Sequence, residues 1–323
     1  MKTIYTMKSQ ILTIGFVLTM LSSFGQQISN SNLYLENRTL INQAYSGVES
    51  GNELSLGYRN QWAGISNAPV TTRLNFRGSI NRPNFEAGRN TPTTARTTNS
   101  SVVPTTGFWA YNGMMVYDNA GLFNRLQFSV AGAYHLPITR KLMLAFAPTV
   151  TYSNLKVDVA NMQLIRPDDP AYNQYLANGG SSNFLGLDAA VVLYSRRFSI
   201  GFTAEQLAWF ALANNDLDDD IQSHFFVTTD YKFRVSDDWE LRPTVNAKLG
   251  ANIPATFDLY ARADYRDIFW FGAGYRTSKM WIGMIGLHLK DSIRLGYSYD
   301  TGIMDVSNIS KGSHEIYLSY TFK

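Results

Sequence analysis

The sequence predicts an all-β protein, a transmembrane antiparallel β-barrel of about 14 strands and of the outer-membrane type. Three observations support this prediction. About fourteen segments alternate apolar and polar residues with a period of two, the pattern of a strand with two unlike faces. Many of these segments have about ten residues or more, the length of a tilted membrane strand. The connections between them alternate between short turns and a set that includes long loops.

The segment 239–249 illustrates the alternation. Trp239 and Leu241 fall on one face of the predicted strand, and Glu240 and Arg242 fall on the other. Almost every strand has a similar polar second face, and no sustained helical periodicity offers a covering layer. Closing one sheet in a bilayer would pair every strand edge and place the apolar faces against lipid. A secreted soluble sandwich or propeller is the alternative that the pattern leaves open.

The strand boundaries follow the alternation and the turn residues between the alternating segments. The predicted strands are 53–62, 69–79, 107–118, 121–137, 140–155, 183–195, 197–206, 222–234, 238–250, 255–265, 267–276, 280–289, 291–300 and 313–323. Short turns are predicted at 137–140, 194–198, 236–238, 265–267 and 290–292, and long connections at 158–182, 208–221 and 301–312. Outer-membrane barrels have their short turns in the periplasm. We therefore expect both chain termini to be periplasmic.

One connection does not fit this rule. The segment 80–106, rich in Asn, Thr, Pro and Arg, is long and falls on the predicted periplasmic rim. Either a pair of strands is missed there, or the segment is a low-complexity insertion or an internal plug.

The first 25 residues form a predicted signal peptide that is removed from the mature protein. Lys2 and Lys8 supply its positive region, 11–21 its apolar region, and Ser23-Phe24-Gly25 a cleavage site. Removing the two lysines lowers the formal net charge from +3 to +1. A nearly neutral chain gives no argument for a nucleic-acid partner. The chain has no cysteine, so disulfide and thiol chemistry are not available to it.

The mature chain is predicted to have two parts, a lead-in or lumen plug at 26–52 and a barrel at 53–323. The lead-in lacks the alternation of the strands that follow it. At the other end of the chain, Tyr320 and Phe322 share the apolar face of the last strand. An aromatic residue next to the C-terminus resembles the terminal strand signal that barrel-assembly machinery recognises.

Two stretches carry a resemblance to a known family. Residues 26–79 include "INQAYSGVESGNELSLGYRNQWAGISNAPVTTRLNF", and residues 114–152 read "MMVYDNAGLFNRLQFSVAGAYHLPITRKLMLAFAPTVTY". Both resemble the PorP/SprF family of the type IX secretion and gliding machinery of Bacteroidota. Within the first stretch the block Tyr58-Arg59-x-Gln61-Trp62 is the most specific, while Gln43 stands where the family usually has Pro.

The resemblance implies a non-enzymatic outer-membrane barrel that helps to secrete a partner protein or holds it at the cell surface. That partner is often a large adhesin delivered by the type IX pathway. Other outer-membrane or periplasmic components of the pathway are further expected partners, besides the lipid bilayer. A channel or transporter for small or hydrophobic solutes is the alternative function, and a membrane-embedded hydrolase is a third.

The candidate site lies on the polar faces and in the lead-in. Arg59 and Gln61 share one inward face, so they could hold the lead-in inside the barrel by charge-assisted hydrogen bonds. Direct contact with a partner and simple packing in the lumen are the alternatives. Trp62 ends its strand, where an aromatic residue at the membrane interface is the ordinary interpretation. The predicted plug and lumen contacts are Arg59, Gln61, Arg73, Arg77, Asn42, Tyr45 and Gly47.

The sequence offers no pattern for catalysis, cofactors or metals. Its four histidines lie on separate predicted strands without the spacing of zinc ligands. The acidic run within 216–220 lacks the glycine and terminal glutamate of a calcium loop, so a solvated loop tip is the simpler interpretation. A nucleophile–base pattern is also missing.

Overall fold

The computed structural model describes residues 31–49, 51–83, 104, 106–162, 173, 179–212, 223–250, 253–289, 292–301 and 310–322. The strands are β1 Asn52–Asn60, β2 Val70–Ile80, β3 Phe108–Ala120, β4 Phe123–Thr139, β5 Leu142–Val157, β6 Ser181–Tyr194, β7 Phe198–Ala211, β8 His224–Tyr231, β9 Phe233–Arg234, β10 Trp239–Gly250, β11 Ile253–Tyr265, β12 Phe269–Arg276, β13 Met280–Leu289, β14 Ile293–Asp300 and β15 Ser313–Phe322. Three short 3-10 helices lie at Arg38–Leu40, Gln43–Tyr45 and Val159–Asn161. None of the helices in these ranges is long and apolar enough to cross a membrane.

The strands form one closed antiparallel ring. Neighbours in sequence are neighbours in the sheet, and β1 pairs with β15 from Asn52↔Phe322 to Asn60↔His314, which closes the ring. β9 continues the line of β8 along β10, so the ring has fourteen strands. The prediction of a closed outer-membrane barrel of about 14 strands is confirmed. Closure leaves no long sheet edge without a hydrogen-bonding partner.

The outward face of the ring is apolar, as a surface in contact with lipid requires. One row of leucines crosses five strands, because each leucine is the direct cross-strand partner of the next. The row consists of Leu287, Leu295, Leu318, Leu56 and Leu74, all of them exposed on the outside. Residues one position away along each strand point inward. On β1, for example, Ser55 and Arg59 are buried.

The two rims differ in their connections. We call the rim with Asn60, Val70, Asp300 and Ser313 the upper rim, and the rim with Asn52, Ile80 and Phe322 the lower rim. The lower-rim turns 140–141, 195–197, 235–238 and 266–268 are short. The connections 61–69, 158–180, 212–223 and 301–312 belong to the upper rim.

The ring has no further pair of strands between β2 and β3, which the long connection 80–106 joins. β2 pairs directly with β3 from Val70↔Asn119 to Ile80↔Trp109, so the two strands are adjacent in the ring. Residues 84–103 and 105, most of the predicted insertion, lie outside the described residues. The same holds for the predicted signal peptide and for the acidic run at 216–220.

The predicted loop at 208–221 begins too early, because β7 continues to Ala211. The reason is a bulge. Leu187 pairs with Ala208 and Ala189 with Ala204, so three residues of β7 stand opposite Asp188. Gln206 adopts a left-handed conformation with φ of 59°, and its N–H donates to Oδ1 of Asp188 at 2.7 Å. A bulge of this kind interrupts the alternation that was used to find the end of the strand.

The leucine row gives a test of the lipid-facing surface. Replacing Leu56 with Arg places a charge near the middle of a strand on the lipid side, which should lower the free energy of unfolding by about 2–4 kcal/mol. Urea unfolding of the barrel in phospholipid vesicles measures this change. The matched control Leu56→Met should cost at most about 1.5 kcal/mol. Equal stability of Leu56→Arg and the unchanged protein would contradict the outward assignment of this face.

Candidate functional site

Residues 31–49, which we call the inner segment, lie inside the ring. Nearly all of them are buried, and Asn32 and Tyr45 have no exposed surface. Two turns of 3-10 helix give the segment its shape, and each begins after an asparagine. The Oδ1 atoms of Asn37 and Asn42 accept hydrogen bonds from the backbone N–H groups of Thr39 and Ala44. These side-chain caps satisfy donors that the short turns leave open.

The second of these turns bears on the family resemblance. Gln43 is its first residue, where the family usually has Pro. The turn nevertheless forms, because Asn42 caps it and the N–H of Ser46 donates to the carbonyl of Gln43 at 3.0 Å.

A first group of charges holds the inner segment against the lower half of β11–β13. The guanidinium of Arg262 contacts the carboxylate of Glu36 and also donates to Asp264 at 2.6 Å. Nε2 of His288 lies 3.4 Å from the other carboxylate oxygen of Glu36. The Arg262 guanidinium also lies over the ring of Trp270, 4.2 Å from its centre. Glu36 and Arg262 are both almost completely buried, so the pair stabilises the charge of each of them, together with Asp264 and His288.

The electrostatic consequence for Glu36 follows from two opposing effects. Burial alone would raise the pKa of this carboxyl, but Arg262 and His288 outweigh burial and lower the pKa to about 2. A lowered pKa means that the ionised carboxylate stabilises the folded arrangement at pH above about 4.5, the ordinary value. This contribution decreases as the pH falls towards 2.

A second group of charges lies at the lower end of β1, β2 and β14. Glu49 of the inner segment accepts from Arg77 at 2.7 Å and from Arg294 at 3.1 Å. Arg77 also donates to Glu53 of β1, at 2.9 Å. On the opposite side of the lumen, Arg38 reaches Asp230 of β8 at 3.4 Å. The inner segment thus carries charges of both signs, and the wall carries a residue of opposite charge next to each of them.

A third group of charges lies near the upper rim, on β1, β15 and the neighbouring β14. Arg59 donates to Asp300 at 2.6 Å and to Glu315 at 3.3 Å. The same two carboxylates accept from the start of the inner segment. The side-chain amide of Asn32 donates to Asp300 at 2.6 Å, and Ser31 Oγ donates to Glu315 at 2.5 Å. Arg59 therefore acts on residues 31–32 through shared carboxylates.

Neutral hydrogen bonds fix the middle of the inner segment to β6 and β7. The side-chain amide of Asn42 donates to the carbonyls of Val191 and Phe202, at 3.1 and 3.2 Å. The hydroxyl of Tyr45 lies 2.7 Å from Ser199 Oγ. Two bonds from one amide to the backbone of adjacent strands define the depth at which this turn sits.

A buried histidine holds the end of the inner segment. Nε2 of His135 on β4 lies 2.6 Å from the carbonyl oxygen of Ser46, and Nδ1 lies 2.8 Å from the hydroxyl of Tyr194. A carbonyl can only accept, so Nε2 carries the proton and Nδ1 accepts from the tyrosine. The neighbouring Gly47 has φ of 75°, and a Cβ there would lie 2.6 Å from the Cβ of Ala110. Only glycine fits this position without movement of the wall.

The predicted site residues occupy several different environments. Arg59, Arg73 and Arg77 are buried on the inner face, and Arg73 lies 3.8 Å from Glu315. Asn42, Tyr45 and Gly47 belong to the inner segment described above. The structure therefore brings Arg77 into direct contact with the inner segment, whereas Arg59 reaches it through Asp300 and Glu315.

The remaining predicted residues lie at strand ends. Gln61 and Trp62 follow the last residue of β1, and both are half-buried. Trp62 has φ of 54°, and its N–H donates to Ser313 Oγ at 3.3 Å. Tyr320 and Phe322 point outward on β15 with their rings exposed. The interfacial role of Trp62 and the assembly signal at the C-terminus stay predictions, as does the division of the chain at residue 52.

The sequence analysis did not identify the charged side chains of the inner segment as site residues. Glu36, Arg38 and Glu49 look like ordinary surface residues in a stretch without alternation. The one available signal was their number, because three charges within fourteen residues of a predicted plug require matching charges on the wall. His135 was set aside as a lone histidine, yet it holds a backbone carbonyl of the segment.

The chemistry of this site consists of ion pairs and hydrogen bonds between the inner segment and the wall. Within the described ranges, no group of three or more histidine and acidic side chains is placed to hold a metal ion. The carboxylates and guanidiniums named above contact each other, and such pairs fix geometry when both charges are buried.

Comparison with known proteins gives a family and a fold. The family model described as type IX secretion system membrane protein PorP/SprF matches residues 23–320. No protein with a curated description matches the chain significantly. The Ralstonia pickettii toluene transporter TbuX is similar with a TM-score of 0.51 and 11% identity, over 88% of this chain and 93% of that one. The CymD monoaromatic hydrocarbon channel is similar with a TM-score of 0.51 and 10% identity, over 93% and 95%. At such low identity these two structures show the fold alone.

Breaking the pair of Glu36 and Arg262 tests how the inner segment is held. In Arg262→Ala the buried Glu36 loses its guanidinium, which costs about 3–5 kcal/mol and should release this part of the segment. Trypsin cleavage after Arg38 in the folded, detergent-solubilised barrel reports the release, and heat-dependent gel migration shows that the barrel remains closed. The matched control Arg266→Ala removes an exposed pair with Asp238 and should leave Arg38 protected. Protection of Arg38 in both variants would contradict the anchoring role.

Proposed function

Because the chain belongs to the PorP/SprF family of type IX secretion membrane proteins, we propose that this outer-membrane barrel supports the secretion or the surface anchoring of a partner protein. The partner is a cargo of the type IX pathway, with a large adhesin as its expected form. The barrel itself is non-enzymatic and serves as a platform in the membrane. Other membrane or periplasmic components of the pathway are its further partners.

The observation that carries this proposal is the way the inner segment fills the lumen. Its residues contact side chains or backbone of β1, β2, β4, β6, β7, β8, β11, β12, β13, β14 and β15. Contacts on so many strands support a segment that closes the barrel as a plug. A closed barrel suits a protein that holds a partner better than one that passes a solute.

The charges of the lumen also argue against an open pore. Ion-selective pores use linings of a single sign, which leave the charges free to act on a passing ion. In this barrel Glu36, Glu49 and Arg59 are each neutralised by a neighbour on another element. The similarity in fold to transporters does not imply that this chain has the same substrates, since one fold hosts many functions.

The function requires a defined orientation in the membrane. We place the lower rim with its short turns in the periplasm, together with the C-terminal strand end at Phe322. The upper rim then faces the outside of the cell and would meet the partner there. The physical basis is the asymmetry of connection lengths, which in outer-membrane barrels puts longer loops outside.

Deleting the gene tests the proposed function in cells. We expect one or more surface proteins of the type IX pathway to be lost from the surface or degraded, because their partner in the membrane is gone. Mass spectrometry of surface-shaved peptides from the deletion strain and from the strain with the gene restored measures this. Normal surface delivery of all type IX cargo in the deletion strain would refute the proposal.

Conductance measurements on the purified barrel distinguish the channel alternative from the proposed function. Reconstituted in a planar bilayer, the wild-type protein should show no stable conductance. Steady single-channel steps from the wild type would contradict a closed lumen and favour a solute channel.

Labelling of single cysteines tests the orientation, since the chain has no cysteine of its own. A membrane-impermeant maleimide should label Ser66→Cys on intact cells, because Ser66 lies in the exposed upper-rim loop. Arg140→Cys, in an exposed lower-rim turn, should be labelled only after the outer membrane is permeabilised. The reverse pattern would show that the barrel is inserted the other way round.

A further inference from the structure

The lower rim carries one arc of positive charge that ion pairs within the described residues do not neutralise. The turns 140–141 and 195–197 are neighbours, because Met143 of β5 pairs with Tyr194 of β6. Lys232 is next along the rim, and its N–H donates to the carbonyl of Arg197 at 2.6 Å. We define the cationic arc as Arg82, Arg140, Lys141, Arg197 and Lys232.

The rest of the lower rim is different. There, Arg234 pairs with Asp237 at 2.5 Å and Arg266 pairs with Asp238 at 2.9 Å. Asp267 contacts His288 at 3.0 Å. These acids balance the basic residues beside them. Among the described residues, the positive charge of the lower rim that has no ion pair is therefore concentrated at Arg82 and on the part of the rim between β4 and β8.

A cavity of about 100 Å³ opens within the arc, between the inner segment and the turn 195–197. Its lining includes Arg38, Val48, Glu49, Arg82, Arg197 and Lys232. Because it includes residues of the inner segment, the cavity faces the lumen side of the rim and not the lipid. A volume of this size accommodates a carboxylate group with a water molecule.

The two acids of the lining already have partners outside the cationic arc. Glu49 is bound by Arg77 and Arg294, and Asp230 is bound by Arg38 and by the hydroxyl of Ser199. They leave little negative charge for the arc. The cavity consequently has an excess of positive charge from side chains that approach it from three elements.

Arg82 has two hydrogen-bond donors in this cavity that no acceptor in the described part of the chain satisfies. Its Nη2 donates to the carbonyl of Val48 at 2.9 Å, and its guanidinium lies 5.8 Å from the ring centre of Phe108. Nε and Nη1 are buried and have no hydrogen-bond partner in the described part of the chain. Burial lowers the pKa of Arg82, since the surroundings solvate the cation poorly. A carboxylate is the ligand that satisfies such donors in a charge-assisted way.

We propose that the cationic arc binds an acidic segment of a partner protein, with one carboxylate of that segment seated in the cavity between Arg82 and Lys232. Arg140, Lys141 and Arg197 bind further acidic side chains along the rim. The occupant comes from the aqueous compartment at this mouth, because a lipid headgroup stays in the plane outside the ring. This inference deepens the proposed function, because it concerns a periplasmic partner at the lower rim in addition to the cargo at the upper rim. It rests on the proposed function only for the compartment and the pathway of that partner.

Binding of a labelled hexaglutamate peptide to the purified barrel in detergent tests the inference. Fluorescence anisotropy should show saturable binding that weakens with salt. The double variant Arg197→Gln/Lys232→Gln should weaken binding about ten-fold, because it removes two charge-assisted contacts without touching the inner segment. The matched control Arg266→Gln lies on the same rim, is neutralised by Asp238, and should bind within about two-fold of the wild type. Arg82→Gln should also weaken binding, and gel migration confirms its folding.

Three outcomes would overturn the inference. The first is no binding by the wild type up to about 1 mM peptide, and the second is equal affinity of the double variant and the control. The third is that inorganic phosphate or phosphatidylglycerol vesicles bind in the same variant-dependent way while the peptide does not, which assigns the arc to phosphate groups. The peptide measurement is independent of cargo delivery in cells, so its failure leaves the proposed function to be judged by the deletion strain.

Discussion

A charged side chain that leaves bulk water must find an opposite charge, and this requirement organises the whole interior of the barrel. The wall alone does not satisfy it at every position. Arg77 and Arg294 share Glu53 of the wall and also reach Glu49, and Arg262 pairs with Glu36 as well as with Asp264 of the wall. Glu36 and Glu49 belong to the inner segment. The segment and the wall are therefore complementary halves of one electrostatic arrangement. The apolar exterior is a separate requirement set by lipid, and the alternation along each strand allows both to be met at once.

The fold was largely predictable because membrane strands repeat one simple pattern. In β10, Leu241 and Val245 are exposed on the outside while Thr244 and Asn246 are buried on the inside, and the same alternation located every strand of the ring. The pattern failed where the backbone departs from it. At the bulge opposite Asp188 the alternation is interrupted, and the end of β7 was placed five residues too early. A bulge depends on cross-strand pairing, which a single strand does not display.

The candidate site was predictable only as a set of inward residue types. Arg59, Arg73 and Arg77 were identified as inward from alternation alone, but their partners were not. Glu36 and Arg262 are 226 positions apart in the chain, and only ring closure and the path of the inner segment bring them together. To predict such a pair one needs the register of the strands and the depth of the inner segment in the lumen. No local signal in the sequence gives either of them. A fold shared with a toluene transporter and a hydrocarbon channel at 10–11% identity does not supply this information, because side-chain partners depend on the residues of each chain.

The ring closes where its first strand meets its last, and Arg59, Asp300 and Glu315 lie across that seam. Main-chain hydrogen bonds between two strands are nearly the same in any register, so they do not identify the correct one. A slip of one residue would turn Arg59 towards lipid, and a slip of two would carry it about 7 Å away from its carboxylates. The charge cluster thus favours one register of the seam over the others. A seam closed in the wrong register would leave the buried charges of Arg59, Asp300 and Glu315 unmatched.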